Sequence, residues 1–439
     1  MSSPQHDQPS DLSERLRVTP TRDPMFFRFA LYGFLKNLRF FDPYLILFFR
    51  DAGLSFLQIG VLYGVRDLGT SILELPASMV ADTFGRRSAM ILSFVIYIIS
   101  FLVFFIWPGF WPFALAMLFF AVGEALRTGT HKALILEHLR LNDMQDAKVS
   151  YYGRTRAASQ LGSALNAVLA AALVFISGDY RYVFAAAAVP YVLDLINLLG
   201  YPRALDGEIN ALAQGDLGGR LKATLHEFLG VFRSPAALRA ILNSSGYDAF
   251  FKATKDYMQP VLEILALSLP FFLDWQDTQR TAVLVGAVYC GLYLVNSYAS
   301  RSADRLSHRL HGLEAAINAT FVLGAILLLV AGGSAWLSLA GLSVIVFVAL
   351  YALHNLRRPL MVSYISDRIS HQVMASGLSV ESQVTTLMMA AIAPLLGWLA
   401  DSLGVGAALA LMGLAMVAFS WAVRARGAEP ETTASQPAA

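Results

Sequence analysis

A single cysteine, Cys290, occurs in 439 residues, so no intrachain disulfide can staple this chain and a cystine-rich secreted scaffold is excluded. Charge is scarce as well. Asp, Glu, Lys and Arg make up 15% of the residues, against about a quarter in soluble globular proteins. A formal net charge of +2 gives no basic excess with which to bind nucleic acid. No Gly-x-x-x-x-Gly-Lys-Ser/Thr loop is present to grip a nucleotide phosphate, which argues against ATP as an energy source. No His-Glu-x-x-His, cysteine pair or carboxylate cluster suggests a metal, and no cofactor is expected. Met1 to Asp23 is polar and lacks an apolar stretch behind a basic start, so no cleavable signal peptide is expected and the first apolar segment must direct insertion.

Apolar residues, by contrast, are abundant at 56%. A membrane-spanning helix needs about 20 of them, and twelve such windows can be read. Six lie near Phe26–Phe49, Gln58–Val80, Ser88–Trp107, Trp111–Leu139, Tyr151–Ile176 and Tyr182–Gly200. Six more lie near Leu238–Leu265, Thr281–Ala299, Leu313–Val330, Trp336–Leu356, Val373–Leu399 and Val405–Val423. The implied organisation is an N-terminal tail over 1–24, a six-helix half over 25–200, a linker over 201–236, a second half over 237–425, and a disordered tail over 426–439. The linker carries a short amphipathic piece from Leu221 to Phe232. Loop arginines and lysines fall mainly on the side that an even number of spans gives to both termini. The positive-inside rule therefore predicts cytoplasmic termini and linker, in a bacterial-type inner membrane.

The halves repeat each other. Arg127 is followed ten residues later by Glu137, and Arg357 ten later by Asp367, so one offset maps both pairs. Ile59-Gly60-Val61-Leu62-Tyr63 answers to Val285-Gly286-Ala287-Val288-Tyr289, and Leu35-Lys36-Asn37-Leu38-Arg39 to Phe251-Lys252-Ala253-Thr254-Lys255, each of the latter pair with a proline soon after. Several matches in one order predict a pseudo-twofold all-α membrane protein with a pathway between its halves.

Between the second and third spans the chain reads Ser78-Met79-Val80-Ala81-Asp82-Thr83-Phe84-Gly85-Arg86-Arg87. This resembles the signature loop of the major facilitator superfamily, Gly-x-x-x-Asp-Arg-x-Gly-Arg-Arg/Lys, with Ser78 in place of the first glycine and Thr83 in place of the first basic residue. A decayed copy follows the eighth span, Ser300-Arg301-Ser302-Ala303-Asp304-Arg305. The resemblance implies the twelve-helix fold and secondary transport by alternating access, without enzymatic activity. It also implies a gate on the terminal side, made of Asp82, Gly85, Arg86, Arg87 and Glu137 in one half and Asp304, Arg305 and Asp367 in the other. The bland reading of the arginines is that they are topogenic charges only.

Charges at membrane depth are costly and are therefore candidate functional groups. Lys36 and Arg39 share a face if the first span is one helix, and Asp42 continues that stripe. Lys252 and Lys255 repeat the arrangement beside Asp256, and two basic residues facing each other across a cavity would attract an anionic group. The competing reading makes Arg39 with Asp42, and Lys255 with Asp256 or Glu263, structural pairs. Arg127 and Tyr289 complete the substrate-binding candidates. Glu74, ahead of the helix-kinking Pro76, and Glu381 are the proton-coupling candidates. Glu74 is weighed against a pair with Arg127 or Lys132, and Glu381 against one with Arg357 or Arg358. His131 and His354 read as hydrogen-bonded interior residues, and Gly60 with Gly64 as a close-packing motif.

The expected protein is thus a monomeric transporter of a small organic, anionic solute, with protons as coupling ion and the lipid bilayer as its surroundings. The rival within transport is efflux of amphipathic cationic drugs, steered by Asp42, Glu74, Glu124 and Glu381. The rival outside it is a transporter-fold sensor or lipid-handling protein.

Overall fold

A computed structural model describes residues 23–206, 219, 235–300, 312–366 and 374–425. Among these, every regular element is helical. Asp23 starts the first helix, α1 (Pro24–Lys36), by accepting from the Met25 amide at 2.9 Å, with Pro24 at the first helical position, where a missing N–H costs nothing. The helix stops at Lys36. The Asn37 side chain turns back onto the Gly33 carbonyl, and the chain resumes helical form only at a 3-10 turn, Asp42–Tyr44, followed by α2 (Leu45–Asp51). Pro43 sits in that turn and disfavours helix in the residue before it. The stripe expected of one continuous helix through Lys36, Arg39 and Asp42 is therefore corrected: the chain is broken between the first of these residues and the other two.

α3 (Phe56–Phe84) opens with a Ser55–Gln58 capping box, and Gly85, at φ +91°, turns the chain into α4 (Arg86–Ile106). α5 (Phe110–Arg127) and α6 (Thr130–Leu141) form one interrupted rod, divided at Thr128 and Gly129, the latter at φ +79°. α7 (Lys148–Ser177) and α8 (Tyr182–Leu199) complete the first half. In the second half α9 (Pro235–Thr254) is separated from α10 (Met258–Ser268) by a 3-10 turn, Lys255–Tyr257, which repeats the break of the first rod. α11 (Asp277–Ser300), α12 (Leu313–Trp336), α13 (Ala340–Ser366), α14 (Met374–Leu403) and α15 (Val405–Ala422) follow.

Eight rods among the described residues are long and apolar enough to cross a bilayer. The first, second, seventh and eighth are not among them. The first and seventh are broken, and α3 carries Arg66, Asp67, Glu74 and Asp82. All four of these rods contribute to the cavity described below. Irregular backbone and charge are tolerated at membrane depth where they line such a space instead of facing lipid.

Within lipid there is little hydrophobic drive for helices to associate, so close packing of small residues holds the halves together. A Cβ on Gly60 would lie 2.3 Å from the Ala393 carbonyl oxygen, one on Gly397 2.2 Å from that of Phe56, and one on Gly286 2.4 Å from the Ala171 side chain. Hydrogen bonds follow the same seam. Asp401 accepts from the Phe56 and Leu57 amides, capping α3 from the other half, and Tyr44 donates to the Ala282 carbonyl. Gln279 reaches the Phe175 carbonyl. All these contacts lie toward the side away from the chain's described ends, where the two halves are joined.

The terminal side of the first half is tied down separately. Asp23 accepts from Tyr151 at 2.7 Å and contacts His138 Nε2 at 2.8 Å, linking α1, α6 and α7. Burial raises the Asp23 pKa, but the Tyr151 and His138 hydrogen bonds outweigh it and hold the carboxyl below its ordinary value. Asp206, just past α8, accepts from the Arg87 amide at 2.7 Å and caps α4. Asp206→Ala should remove this cap and cost about 1 kcal/mol, read as a lowered thermal midpoint, whereas Asp206→Asn should retain most of it. Equal losses would contradict the capping role.

A charged cavity between the halves

A cavity of about 560 Å³ lies between the halves, within the size range of small-molecule sites. The first half supplies Arg39, Asp42 and Leu45 from the broken first rod, Arg66, Asp67, Thr70, Ser71 and Glu74 from α3, and Phe120, Glu124 and Thr128 from the fourth rod. The second half supplies Lys252, Lys255 and Asp256 from the broken seventh rod, Tyr289, Leu292 and Tyr293 from α11, Tyr351 from α13, and Ser382, Thr385, Thr386 and Met389 from α14. Both breaks thus deliver a basic and an acidic side chain to one space.

Most of the charge is paired. Glu124 is the hub of the first half: it accepts from Arg127 at 2.6 and 3.1 Å, from Arg39 at 3.2 and 3.4 Å, and from Tyr97 through a short hydrogen bond. Arg66 bonds its neighbour Asp67 at 2.8 Å and lies over the Tyr63 ring. Lys255 bonds Asp256 at 2.5 Å, and Tyr63 of the other half donates to the same carboxylate at 3.2 Å. Lys252 is held more loosely, 3.5 Å from Asp248, with its side chain 43% exposed. Asp42 and Glu74 have no ion pair among the described residues, although both line the cavity.

Several expected site residues meet here: Arg39, Asp42, Lys252, Lys255, Tyr289 and Glu74. Three do not line the cavity. Lys36 ends α1 behind the break, so the expected basic residues that reach the cavity are Arg39 from the first half and Lys252 and Lys255 from the second. Arg127 lies behind Glu124, and Glu381 lies against α9, where Ser244 donates to it at 2.5 Å. The centre is also of mixed sign, rather than basic as expected.

Of the expected terminal-side gate, the first-half residues are described. Glu137 pairs with Arg140 at 2.6 Å, not with Arg86, and Asp82 is exposed. Arg87 donates to the Leu199 carbonyl at 2.7 Å while its amide binds Asp206. A Cβ on Gly85 would meet that carboxylate at 2.6 Å, which explains the glycine. Asp304, Arg305 and Asp367 lie outside the described residues, as does the amphipathic piece of the linker. Gly60 does pack closely, against Ala393 across the seam, whereas Gly64 makes only ordinary van der Waals contact with Ala390. His131 stacks on Tyr32 at 3.6 Å and His354 on Phe251 at 3.9 Å; among the described residues neither finds a hydrogen-bond partner for its buried nitrogen, Nε2 and Nδ1 respectively, although Asp248 lies 3.7 Å from that of His354.

Sequence reasoning missed Gln259. This fully buried side chain of the second half donates to the Asp42 carbonyl at 2.9 Å and accepts from the Ile46 amide at 2.8 Å. It satisfies backbone groups that the break in the first rod leaves free. Its signal, a glutamine before proline in an apolar run, Met258-Gln259-Pro260-Val261, was present.

Two helical halves joined on one side, around a charged cavity at their interface, define a membrane transporter of the alternating-access type. The Major Facilitator Superfamily model matches residues 25–380, and the chain belongs to that family. Among solved structures it resembles the nucleoside transporter NupG, with a TM-score of 0.72 and 12% identity over 91% of this chain and 98% of that one. It also resembles a POT family transporter in complex with 5-aminolevulinic acid, with a TM-score of 0.66 and 16% identity over 91% of this chain and 93% of the other. A bacterial homolog to the human lysosomal transporter Spinster, in an inward-facing and occupied conformation, gives a TM-score of 0.64 and 14% identity over 93% and 96%. A comparison with curated protein sequences finds no match.

Proposed function

We propose that the chain is a proton-coupled carrier of a small organic solute bearing an acidic group, working as a monomer in a bacterial-type inner membrane with both termini in the cytoplasm. The observation that carries this reading is the distribution of partners around the cavity. Lys252 is the basic side chain held least tightly, and it reaches the cavity from the second half, so it is the natural anchor for an anion. Glu74 is a lining carboxylate without an ion pair among the described residues, and it is the natural carrier of a coupled proton. Glu381, bonded to Ser244 outside the lining, is the second candidate for that role. With the termini cytoplasmic, the arrangement is inward-facing.

Solutes are to be found first by a thermal-shift screen of purified protein against metabolites and drugs, since a bound ligand raises apparent stability. With a solute in hand, Glu74→Gln should abolish the acceleration of uptake by an imposed pH gradient in proteoliposomes while leaving counterflow. Lys252→Ala should weaken an anionic solute roughly tenfold or more, because a hydrogen bond to a charged group contributes about 1.5–3 kcal/mol, and should spare its neutral analogue. Equal losses for both solutes reject the anion site, and an unchanged pH response rejects Glu74. A second reading, efflux of amphipathic cations, is favoured by Asp42 and Glu74, which have no ion pair among the described residues and stand among aromatic walls formed by Phe41, Phe120, Tyr289 and Tyr293. The same screen separates the two.

A further inference from the structure

Asp194 lies in α8, away from the cavity, and is fully buried. Asn197 donates to its Oδ1 at 3.2 Å, whereas Oδ2 has no hydrogen-bond partner among the described residues. No cation is in ion-pair contact with it among the described residues. An ionised carboxylate in that position is costly, because a buried charge needs a partner and full hydrogen bonding. A protonated carboxyl has no charge to compensate, and its one O–H needs only a single acceptor, so it is the less costly form there.

The register of α8 against α1 fixes what lies opposite. Asn197 and Tyr201 donate to the Arg28 carbonyl at 3.0 and 3.3 Å, and Tyr191 donates to the Lys36 carbonyl at 3.3 Å. Asp194, between these contacts, faces the turn of α1 that carries Tyr32, whose hydroxyl is also buried without a partner. The groups that act on it are Tyr32 and Lys36 from α1, Asn197 from its own helix and Tyr201 just beyond that helix, while Arg28 of α1 and Arg87 of α4 lie at the end of α8. Among the described residues, α7 contributes no group that acts on it. Arg28 is spent on the Gly200 carbonyl and Arg87 on that of Leu199. Lys36, the cation whose field reaches Asp194, has no ion pair among the described residues. It is also the last residue of α1, at the break in the first rod.

We propose that Asp194 is a second proton-binding site of the carrier, occupied in this conformation, and that Lys36 becomes its counter-ion when the proton leaves. On release the Oδ2–H bond breaks, the proton passes to bulk water, and the carboxylate pairs with the Lys36 ammonium as the α1 terminus shifts. The inference rests on the alternating-access reading, but its test uses no transport assay, so its failure leaves the Glu74 assignment standing.

The test is infrared spectroscopy of the whole protein in lipid nanodiscs, following the C=O stretch of protonated carboxyl groups as pH is raised. At neutral pH the wild type should show a band that is absent in Asp194→Asn and retained in Glu74→Gln. Should Asp194→Asn not fold, Asp194→Glu should move the band to a new frequency. Lys36→Met should raise the pH at which the band disappears by about one unit or more, the size of shift an opposite charge at close range produces, and Lys36→Arg should restore the wild-type midpoint. A neutral-pH band unaffected by substitution of Asp194 overturns the proton site, and an unchanged midpoint in Lys36→Met overturns the counter-ion.

Discussion

Valine at Gly60 and Gly397 together will hold the two halves apart on the side where they now meet, and transport will be lost with folding intact. Each added Cβ meets backbone, at 2.3 Å from the Ala393 carbonyl oxygen and 2.2 Å from that of Phe56, so no rotamer change relieves the contact and only separation of α3 from α14 does. Overpacking of this kind costs about 1–3 kcal/mol per site. The cost falls on the conformation in which the seam is closed and vanishes in the one in which it opens. A differential of about 5.5 kcal/mol turns a two-state equilibrium from 1:99 to 99:1, so the pair should invert any modest preference for the present state. The readout is a cysteine at Thr70, which lines the cavity, in a Cys290→Ser background, labelled with a membrane-impermeant maleimide. Reactivity from the side opposite the termini should rise and reactivity from the terminal side fall. Labelling that matches the wild type from both sides would sink the argument. Gly291, around which an added Cβ meets nothing, supplies the control: Gly291→Ala should leave both rates unchanged.

How much of this was legible beforehand depends on the physics at each position. The helical rods were readable because apolar runs of bilayer length have few alternatives, and the seam at Gly60 because small residues at helical spacing mean close approach. The breaks at Lys36 and Thr254 were not. The prolines that follow them were noticed, but a single long apolar window hides an interruption whose backbone is satisfied from elsewhere, here by Gln259 across the seam. Depth of charge was legible and partnership was not. Arg39, Lys252 and Lys255 stand at the cavity, as their place in the first and seventh spans implied. Yet the acid of Arg39 is Glu124, eighty-five residues away, instead of Asp42 one turn on. Asp194 went unremarked because one carboxylate in an apolar run looks the same whether it is paired or orphaned. The Asp206 cap lies where the linker was read as polar surface, and its importance comes from Gly85, not from its own surroundings.

Glu124→Gln will be among the most destabilising single substitutions in the first half. The carboxylate serves two guanidinium groups and a phenol at once, and Arg39 and Arg127 have no other carboxylate within ion-pair distance among the described residues. Removing the acid leaves two neighbouring cations that repel each other. Breaking a buried pair by deleting one partner costs about 3–5 kcal/mol, and the lower end is appropriate here because the side chains are 16–22% exposed and the cavity admits water. The second half supplies the comparison. Arg357 is buried more deeply still, but the residue three before it is His354, and it is held by Thr320 at 2.8 Å, by the Asn243 amide and Ile317 carbonyl oxygens, and by the Tyr247 ring at 4.5 Å. A buried arginine in this fold can therefore be satisfied by neutral acceptors, but glutamine at 124 offers one acceptor oxygen where two arginines need it. The thermal midpoint of Glu124→Gln should fall by several degrees, while Arg39→Gln alone should cost less, since Glu124 keeps Arg127. Adding Arg39→Gln to Glu124→Gln should recover part of the loss, because one uncompensated cation is gone. If the double variant is no more stable than Glu124→Gln, the charge hub is not what holds these three rods together.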